Sequence, residues 1–322
     1  MKRLAFLLLL LAACTGDPAP VTTPPAWRAV LEHQPGALLS VWGTSATDVW
    51  SVGGSLGDPG GADVVHFDGA TWTPRAAGGT ASFWWVHGVA GDDVWLVGEK
   101  GRITHWDGAF HELASGTTAT LFGVFASSAA DVWAVGGTPE SPAAPNDVVL
   151  HWDGSTWSPV TLPTTLKVAF YKVWGIDDQL WIVGENGIVW HRRAGAWQRE
   201  AEGLATGRLT TVTGCSASEV YAVGGRDVLT FDGTAWSRAP VDSLLINDVN
   251  GVACRDGHVL VVGGGSLKLR REAGAWTSDF GTAPLADLHG AWIDPSGGMW
   301  GAGGNFTGSG GGSREGVIGR RQ

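Results

Sequence analysis

Residues 131–137 are Asp-Val-Trp-Ala-Val-Gly-Gly, and the same phrase returns along the chain. Close copies begin at Asp48 and Asp93. Four weaker copies keep the apolar centre of the phrase, at Trp181, Tyr221, Leu260 and Trp300. The seven copies stand about 42 residues apart on average, which is the repeat length of four-stranded β-propeller blades.

Each repeat contains four short segments with the composition of β-strands. In the third repeat Val148–Trp152 follows the quoted phrase, Asp153-Gly154 comes next, and Trp157 lies just beyond. Asp-Gly between apolar segments is a strong signal for a tight hairpin. An apolar segment such as Leu38–Gly43 precedes the phrase and predicts the first strand. No later segment shows sustained helical periodicity, so we predict an all-β chain, a seven-bladed β-propeller of four-stranded antiparallel blades.

The ends of the repeat region predict how the ring closes. The seventh repeat has three predicted strands, of which the last is Gly316–Arg321. Ala26–Ala29 has the composition of a fourth strand but no earlier strands beside it. We therefore expect the N-terminal strand to pair into the last blade, which also removes two open sheet edges.

The repeats resemble those of the kelch class of propellers. Kelch blades end the second strand in Gly-Gly, carry an aromatic residue before Asp in the third, and place a Trp in the fourth. Here these are Gly136-Gly137, Trp152-Asp153 and Trp157, whereas Arg192-Arg193 and Arg271-Glu272 depart from the pattern in two repeats. The resemblance implies a fold and no particular activity, because propellers host many unrelated functions.

The N-terminal residues resemble an export and lipidation signal. Lys2 and Arg3 precede the apolar run Leu4–Ala13, which is too short to cross a bilayer. The run ends in Leu11-Ala12-Ala13-Cys14, similar to the bacterial lipobox, which implies a lipidated Cys14. Thr15 in place of Asp implies sorting to the outer membrane or cell surface of a Gram-negative bacterium.

These features divide the chain into three parts: a signal peptide over 1–13, a lipidated Cys and a Pro/Thr-rich tether over 14–25, and the propeller over 26–322. No later run of about 18 apolar residues occurs, so the lipid is expected to be the single membrane attachment. We expect a monomer.

The charge balance narrows the class of partner. The chain has 21 Lys and Arg against 31 Asp and Glu, a net charge of −10, and contains no basic run. This argues against nucleic acid, and against anionic lipid, as the main partner.

No catalytic motif, cofactor or metal site is predicted. The chain lacks Gly-x-Ser-x-Gly, His-Glu-x-x-His and a phosphate-binding Gly-rich loop. Four histidines share one position in successive third strands: His66, His105, His151 and His191. Zinc needs ligands about 2 Å away, whereas packed sheets lie about 10 Å apart, so we expect each His to hydrogen-bond within its own blade.

Candidate ligand-binding residues interrupt the repeat on one predicted face of the disc. Four aromatic residues fall where one blade connects to the next: Trp84, Trp85, Phe170 and Tyr171. Three polar pairs replace small residues after the second strand: Glu99-Lys100, Glu185-Asn186 and Arg226-Asp227. The alternatives are packing beneath the loops for the aromatic residues and solvated loop positions for the polar ones.

Two classes of function fit this sequence. The first is a non-enzymatic, lipid-anchored binding or scaffold propeller that presents one disc face to a protein or a glycan. The alternative is a polysaccharide-active enzyme, a lyase or hydrolase, with a site at the mouth of the central channel. The enzyme would need two carboxylates, or a carboxylate and a His, to converge there from non-equivalent positions.

Cys215 and Cys254 are the only cysteines besides Cys14. Each lies six residues before the centre of a repeated phrase, so they are expected at equivalent sites in adjacent blades. We predict a disulfide, favoured by an oxidising compartment, against the alternative of two buried thiols. Its geometric requirement is a Cα separation below about 7 Å.

Overall fold

The computed structural model describes residues 25–54, 64–141, 146–306 and 315–322. Within these residues the chain forms seven four-stranded antiparallel sheets arranged as propeller blades. Blade I contains β2 (Leu38–Ser45), β3 (Asp48–Gly53), β4 (Val64–Phe67) and β5 (Trp72–Pro74), and blade II contains β6 (Phe83–Ala90), β7 (Asp93–Gly98), β8 (Ile103–Trp106) and β9 (Phe110–Leu113). Blade III contains β10 (Thr120–Ser128), β11 (Asp131–Gly137), β12 (Val148–Trp152) and β13 (Trp157–Pro159). Blade IV contains β14 (Phe170–Ile176), β15 (Gln179–Gly184), β16 (Val189–Arg193) and β17 (Ala196–Glu200).

Blade V contains β18 (Thr211–Ser216), β19 (Glu219–Gly224), β20 (Asp227–Phe231) and β21 (Trp236–Arg238). Blade VI contains β22 (Val249–Arg255), β23 (His258–Gly263), β24 (Lys268–Glu272) and β25 (Ala275–Ser278). Blade VII contains β26 (Asp287–Ile293), β27 (Met299–Gly304), β28 (Gly316–Arg321) and β1 (Trp27–Gln34). In the described part of the chain, four single 3₁₀ turns span Glu99–Gly101, Glu185–Gly187, Asp242–Leu244 and Gly264–Ser266. Within the four described ranges, no helix is long and apolar enough to cross a membrane.

The ring closes as the sequence predicts. β1 pairs antiparallel with β28, with Trp27 opposite Arg321 and Ala29 opposite Gly319. The last blade therefore contains three C-terminal strands and one N-terminal strand. The Trp27 side chain is buried, and its Nε1 donates to Asp279 Oδ2 of blade VI (2.9 Å), so the closing strand also joins two blades.

The apolar core lies between blades. One cluster joins Trp50 and Val52 of blade I to Phe83 and Leu96 of blade II, and similar clusters follow around the ring. The second strands are buried on both faces because each is packed between two neighbouring sheets, which explains their consecutive apolar residues.

The repeated His of blades I to IV forms a local hydrogen-bond network within its blade. His105 Nε2 donates to Asp93 Oδ1 (2.8 Å), Trp95 Nε1 donates to the same oxygen (2.9 Å), and the His105 ring stacks on Trp95. Blades I and III repeat the His–Asp bond at 2.7 Å. His191 instead bonds Gln179 Oε1 (2.9 Å) and Glu200 Oε1 (2.8 Å), because Gln replaces Asp in blade IV. Each His thus has its partners inside its own blade.

Glycines near the inner strand ends receive bulky side chains from the preceding blade. A Cβ on Gly88 would lie 2.8 Å from Trp42 Cη2, and one on Gly214 would lie 2.6 Å from Trp174 Cη2. Trp292 meets Gly43 in the same way across the closure, at 2.9 Å. These Trp–Gly pairs fill the wedge between adjacent first strands at positions where no side chain fits.

Cys215 and Cys254 form a disulfide with a Cα separation of 5.0 Å. The expectation of equivalent sites is wrong by one residue. Gly214 pairs with Val220 and Ser216 with Glu219, so Cys215 is an extra residue in a bulge, whereas Cys254 lies in a regular ladder. A bulge redirects its side chain out of the ladder, which lets the two sulfurs meet across neighbouring blades.

Residues 1–24 lie outside the described part of the chain. They include the predicted signal peptide, Cys14 and most of the predicted tether.

Candidate functional site

An extra residue interrupts the first strand of the blades at one common position. In blade IV Phe170 pairs with Gly184 and Lys172 with Val183, which leaves Tyr171 outside the ladder. Five other blades show the same register shift, and Thr210 stands at the corresponding place just before β18. The seven residues, here called the mouth ring, are Leu39, Trp84, Phe122, Tyr171, Thr210, Asn250 and His289.

The mouth ring encloses a cavity of about 370 Å³, here called the mouth cavity. First strands contact each other all around the ring, so a cavity lined by all seven lies on the central axis. Four further residues complete its rim: Pro139, Glu140, Arg208 and Phe306. They come from loops between second and third strands and from a blade-to-blade connection. The cavity therefore opens on the face that the sequence analysis selected.

Aromatic side chains form a continuous arc along one side of this cavity. Ring centroids are separated by 4.8 Å between Trp84 and Phe122 and by 5.2 Å between Phe122 and Tyr171. In the other direction they are separated by 6.4 Å between Trp84 and His289 and by 5.8 Å between His289 and Phe306. The bulges place these rings side by side, which gives an apolar surface for a ligand's flat or branched group.

Three polar side chains of the mouth ring hydrogen-bond to the backbone, whereas the buried Nε1 of Trp84 has no hydrogen-bond partner. Thr210 Oγ1 donates to Asn250 O (2.8 Å), and Asn250 Nδ2 donates to Leu288 O (3.1 Å). His289 Nδ1 donates to Leu39 O (3.3 Å). Burial, followed by the charge of Lys172, lowers the pKa of His289 to about 4, so the ring is neutral at pH 7 and its Nε2 is an acceptor.

Lys172 forms the floor of the mouth cavity, and its amino group lies against Trp85. Lys172 Nζ donates to Phe122 O (2.6 Å) and lies 3.7 Å from the centroid of the Trp85 ring. Lys172 also lines a second cavity of about 330 Å³ further along the axis, called the lower cavity, which Trp85 lines too. Burial lowers the pKa of Lys172 well below its usual value. Lys172 therefore lies between the two cavities, and Trp85 belongs to the lower one.

The four predicted aromatic residues occupy three different environments. Trp84 and Tyr171 belong to the mouth ring, and Trp85 lines the lower cavity. Phe170, by contrast, is fully buried and packs in the core cluster between blades III and IV. Because Tyr171 is the extra residue in the strand, Phe170 keeps its place in the ladder and faces the core, so the site does not include it.

The polar pairs Glu99-Lys100 and Glu185-Asn186 each belong to a 3₁₀ turn that follows the second strand of blades II, IV and VI. Neither pair lines the mouth cavity. Glu99 Oε2 accepts the N–H of Ser82 (3.2 Å), and Glu185 Oε2 accepts the N–H of Ala169 (2.7 Å). Lys100 and Asn186 occupy the left-handed tips of these turns, with φ of 58° and 57°. The carboxylates thus anchor the neighbouring connection, and the pairs do not interrupt the repeat as the sequence suggested.

The third polar pair is also engaged locally. Asp227 Oδ1 pairs with Arg238 Nη1 at 2.6 Å, and the Arg226 guanidinium donates to Leu245 O. Neither residue lines the mouth cavity.

Several lining residues escaped the sequence analysis, although the aligned first strands contain a signal for them. Beginning one residue before the mouth ring, these strands are Leu-Leu-Ser-Val, Phe-Trp-Trp-Val, Leu-Phe-Gly-Val, Phe-Tyr-Lys-Val, Leu-Thr-Thr-Val, Val-Asn-Gly-Val and Leu-His-Gly-Ala. The first and fourth columns are apolar in all seven, whereas the second varies from Leu to Asn. The third column varies as well, and variable positions between the two uniform columns indicate residues that do not serve the common core.

Comparison with known proteins places the chain by its fold alone. No known protein family and no curated protein matches it. A streptogramin B lyase structure superposes with a TM-score of 0.72 at 13% identity, over 92% of this chain and 97% of the other. YCF48 bound to a D1 peptide superposes with a TM-score of 0.67 at 16% identity, over 94% of this chain and 98% of the other. The WD40 propeller domain of Doa1 superposes with a TM-score of 0.68 at 11% identity, over 92% of this chain and 97% of the other. The resemblance to kelch repeats stays a prediction.

Proposed function

We propose that this protein is a non-enzymatic, monomeric binding propeller that holds a segment of a protein partner at its mouth cavity. The aromatic arc from Phe306 to Tyr171 carries the proposal, because it gives the cavity an apolar wall of five adjoining rings. Buried aromatic pockets of this kind are where binding energy concentrates in protein interfaces.

The hydrogen bonding of the mouth ring favours a peptide side chain over a glycan. A sugar presents many hydroxyl groups, and each needs a partner when it leaves water. Thr210 and His289 already donate to backbone carbonyls, so the Thr210 hydroxyl and the His289 Nδ1–H are not available to the hydroxyl groups of a sugar. An apolar side chain needs no donor and gains from contact with the rings.

The comparisons are compatible with this proposal. YCF48, which shares the fold at 16% identity, is bound to a D1 peptide in its structure. That fact concerns YCF48, and for the present chain it supports only the idea that a propeller of this size can bind a peptide.

We further propose that the propeller is exported and attached to a membrane by a lipid on Cys14, at the outer membrane or cell surface of a Gram-negative bacterium. The support is the sequence alone: the basic start, the short apolar run and Leu11-Ala12-Ala13-Cys14. A tether rich in Pro would keep the disc away from the bilayer.

The test of the binding function is a screen of residues 26–322 against a peptide library and a glycan array, followed by titration of the selected ligands. Trp84→Ala and Tyr171→Ala should each weaken binding at least tenfold, because each removes a ring from the arc. Phe280→Ala is the matched control, since Phe280 is an exposed aromatic residue that does not line the cavity. Unchanged affinity in both cavity variants would contradict the proposal, as would selection of glycans alone.

One observation favours the enzymatic alternative. Glu140 and His289, a carboxylate and an imidazole from non-equivalent positions, both line the mouth cavity. A neutral His289 could accept a proton through Nε2, as a lyase requires. Glu140, however, is exposed at the rim and is the one acidic residue lining the cavity in the described chain, whereas glycoside hydrolysis uses two carboxylates. Release of oligosaccharides by the wild type, lost in His289→Ala, would establish the enzyme.

A further inference from the structure

Two buried lysines differ in how fully their amino groups are hydrogen-bonded. Lys268 is 0% exposed, and its Nζ donates to three carbonyls, those of Ser266, Thr282 and Pro284. Lys172 is 3% exposed, and its Nζ donates to a single carbonyl, that of Phe122. An ammonium group has three donors, so Lys268 is saturated and Lys172 is not.

The surroundings of Lys172 provide no carboxylate to compensate a charge. Besides Phe122 O, its Nζ contacts the face of Trp85, which attracts a cation but accepts no strong hydrogen bond. Among the described residues, no Asp or Glu forms an ion pair with Lys172, and Glu140 lies at the exposed rim. A buried cation without a partner is costly, and an anion entering the cavity would remove that cost.

We propose that Lys172 determines the specificity of the mouth cavity by pairing with a carboxylate, so that the bound segment is the free C-terminal end of a peptide whose last side chain is aromatic or branched. This inference rests on the proposed binding function. The terminal carboxylate would reach the floor, and the last side chain would lie against Trp84 and Phe122. The remainder of the peptide would leave past Arg208 at the rim, a second cation that favours an acidic end.

Binding of such a ligand should be linked to protonation of Lys172. Burial lowers the pKa of Lys172 in the free protein, and a carboxylate beside it would raise that pKa again. The other titratable or charged groups around the two cavities are His289, His87, Tyr171, Arg208, Glu140, Arg255 and Asp256. Burial lowers the pKa of His87 and of His289 to about 4 and raises that of Tyr171 to about 12, so none of these three changes charge near pH 7.5.

The decisive experiment compares two probes that differ only in the terminal group: N-acetyl-4-fluorophenylalanine and its carboxamide. Each is titrated into the propeller and followed by fluorine NMR. We expect the acid to bind at least tenfold more tightly than the amide. Lys172→Met should abolish that preference, whereas Lys268→Met, which removes a buried lysine outside both cavities, should preserve it.

The outcomes distinguish failure of this inference from failure of the proposed binding function on which it rests. Equal binding of acid and amide to the wild type, with both weakened in Trp84→Ala, would overturn the role of Lys172 and leave the binding function standing. Failure of both probes to bind would overturn both. If Lys172→Met does not fold, the acid-to-amide ratio of the wild type still decides the question.

A second readout is the uptake of protons on binding, measured by calorimetry at pH 7.5 in buffers of different ionisation enthalpy. We expect net proton uptake when the acid binds, because the carboxylate raises the lowered pKa of Lys172, and the same uptake in Glu140→Gln, where the rim carboxylate is absent. Zero uptake with the acid would contradict linkage to Lys172.

Discussion

Replacing Trp27 tests whether the closing strand holds the ring together. Trp27 is 7% exposed, packs with Leu260 and Leu288, and donates from Nε1 to Asp279 Oδ2. Truncating a buried Trp to Ala costs about 3–5 kcal/mol in free energy of unfolding, from lost transfer energy and the remaining cavity. Trp27→Ala should therefore lose about 3–5 kcal/mol, and Trp27→Phe, which keeps a ring but loses the donor, should lose less.

The measurement is urea unfolding of the oxidised propeller, followed by far-ultraviolet circular dichroism. Arg28→Ala is the control, because Arg28 lies in the same strand with an exposed side chain and should change the free energy by less than about 0.5 kcal/mol. If Trp27→Ala unfolds within about 1 kcal/mol of the wild type, contrary to the estimate for a buried Trp, then β1 does not carry the closure. A deletion of residues 26–33 that retained the wild-type midpoint would lead to the same conclusion.

Three further predictions concern separate parts of the molecule. Cys14→Ala should abolish lipid labelling and release the protein in soluble form, and unchanged membrane fractionation would contradict the lipoprotein hypothesis. Denatured, unreduced propeller should contain no free thiol, and Cys254→Ser should cost about 2–4 kcal/mol, whereas two titratable thiols per chain would exclude the disulfide. Backbone N–H groups of Thr156 and Ser155, together with the Ser155 hydroxyl, lower the pKa of Asp153 from 3.8 to about 2. A depressed folded-state pKa stabilises the fold above the unfolded value, so the destabilisation by Asp153→Ala at pH 7 should fade as the pH falls through about 2.

The fold could be predicted from the sequence because each blade repeats the same local rules. The phrase at 131–137 is a strand buried on both faces, the Asp-Gly pairs make hairpins, and the unpaired segment at 26–29 is the missing strand of the last blade. These signals depend on neighbours in the chain or on the period of the repeat. Both survive in a single sequence, which is why the number of blades and the closure are correct.

The site depends on single extra residues, and such residues leave only a faint signal. Phe170 and Tyr171 are adjacent and both aromatic, yet one packs in the core and the other lines the cavity. Cys215 is displaced by one residue relative to Cys254 for the same reason. A side chain reverses its face when the register shifts by one residue, so the repeat alone cannot tell which of two adjacent residues at a bulge faces the cavity.

The location of these bulges also explains how a repetitive fold can hold an irregular site. Within the ladder, each first strand packs against its neighbours with nearly the same side chains. The residue two positions after the mouth ring, for example, is Val in six blades and Ala in the seventh. A residue outside the ladder is free of that requirement, because its side chain points to the axis and contacts no sheet-to-sheet core. Seven such positions converge on one cavity, where Leu, Trp, Phe, Tyr, Thr, Asn and His each occur once. Lys172 is one residue further along the strand, beside the bulge of its own blade, and so reaches the floor of that cavity. The specificity of the cavity can therefore change by substitution at the bulges without disturbing the closure or the cores between blades.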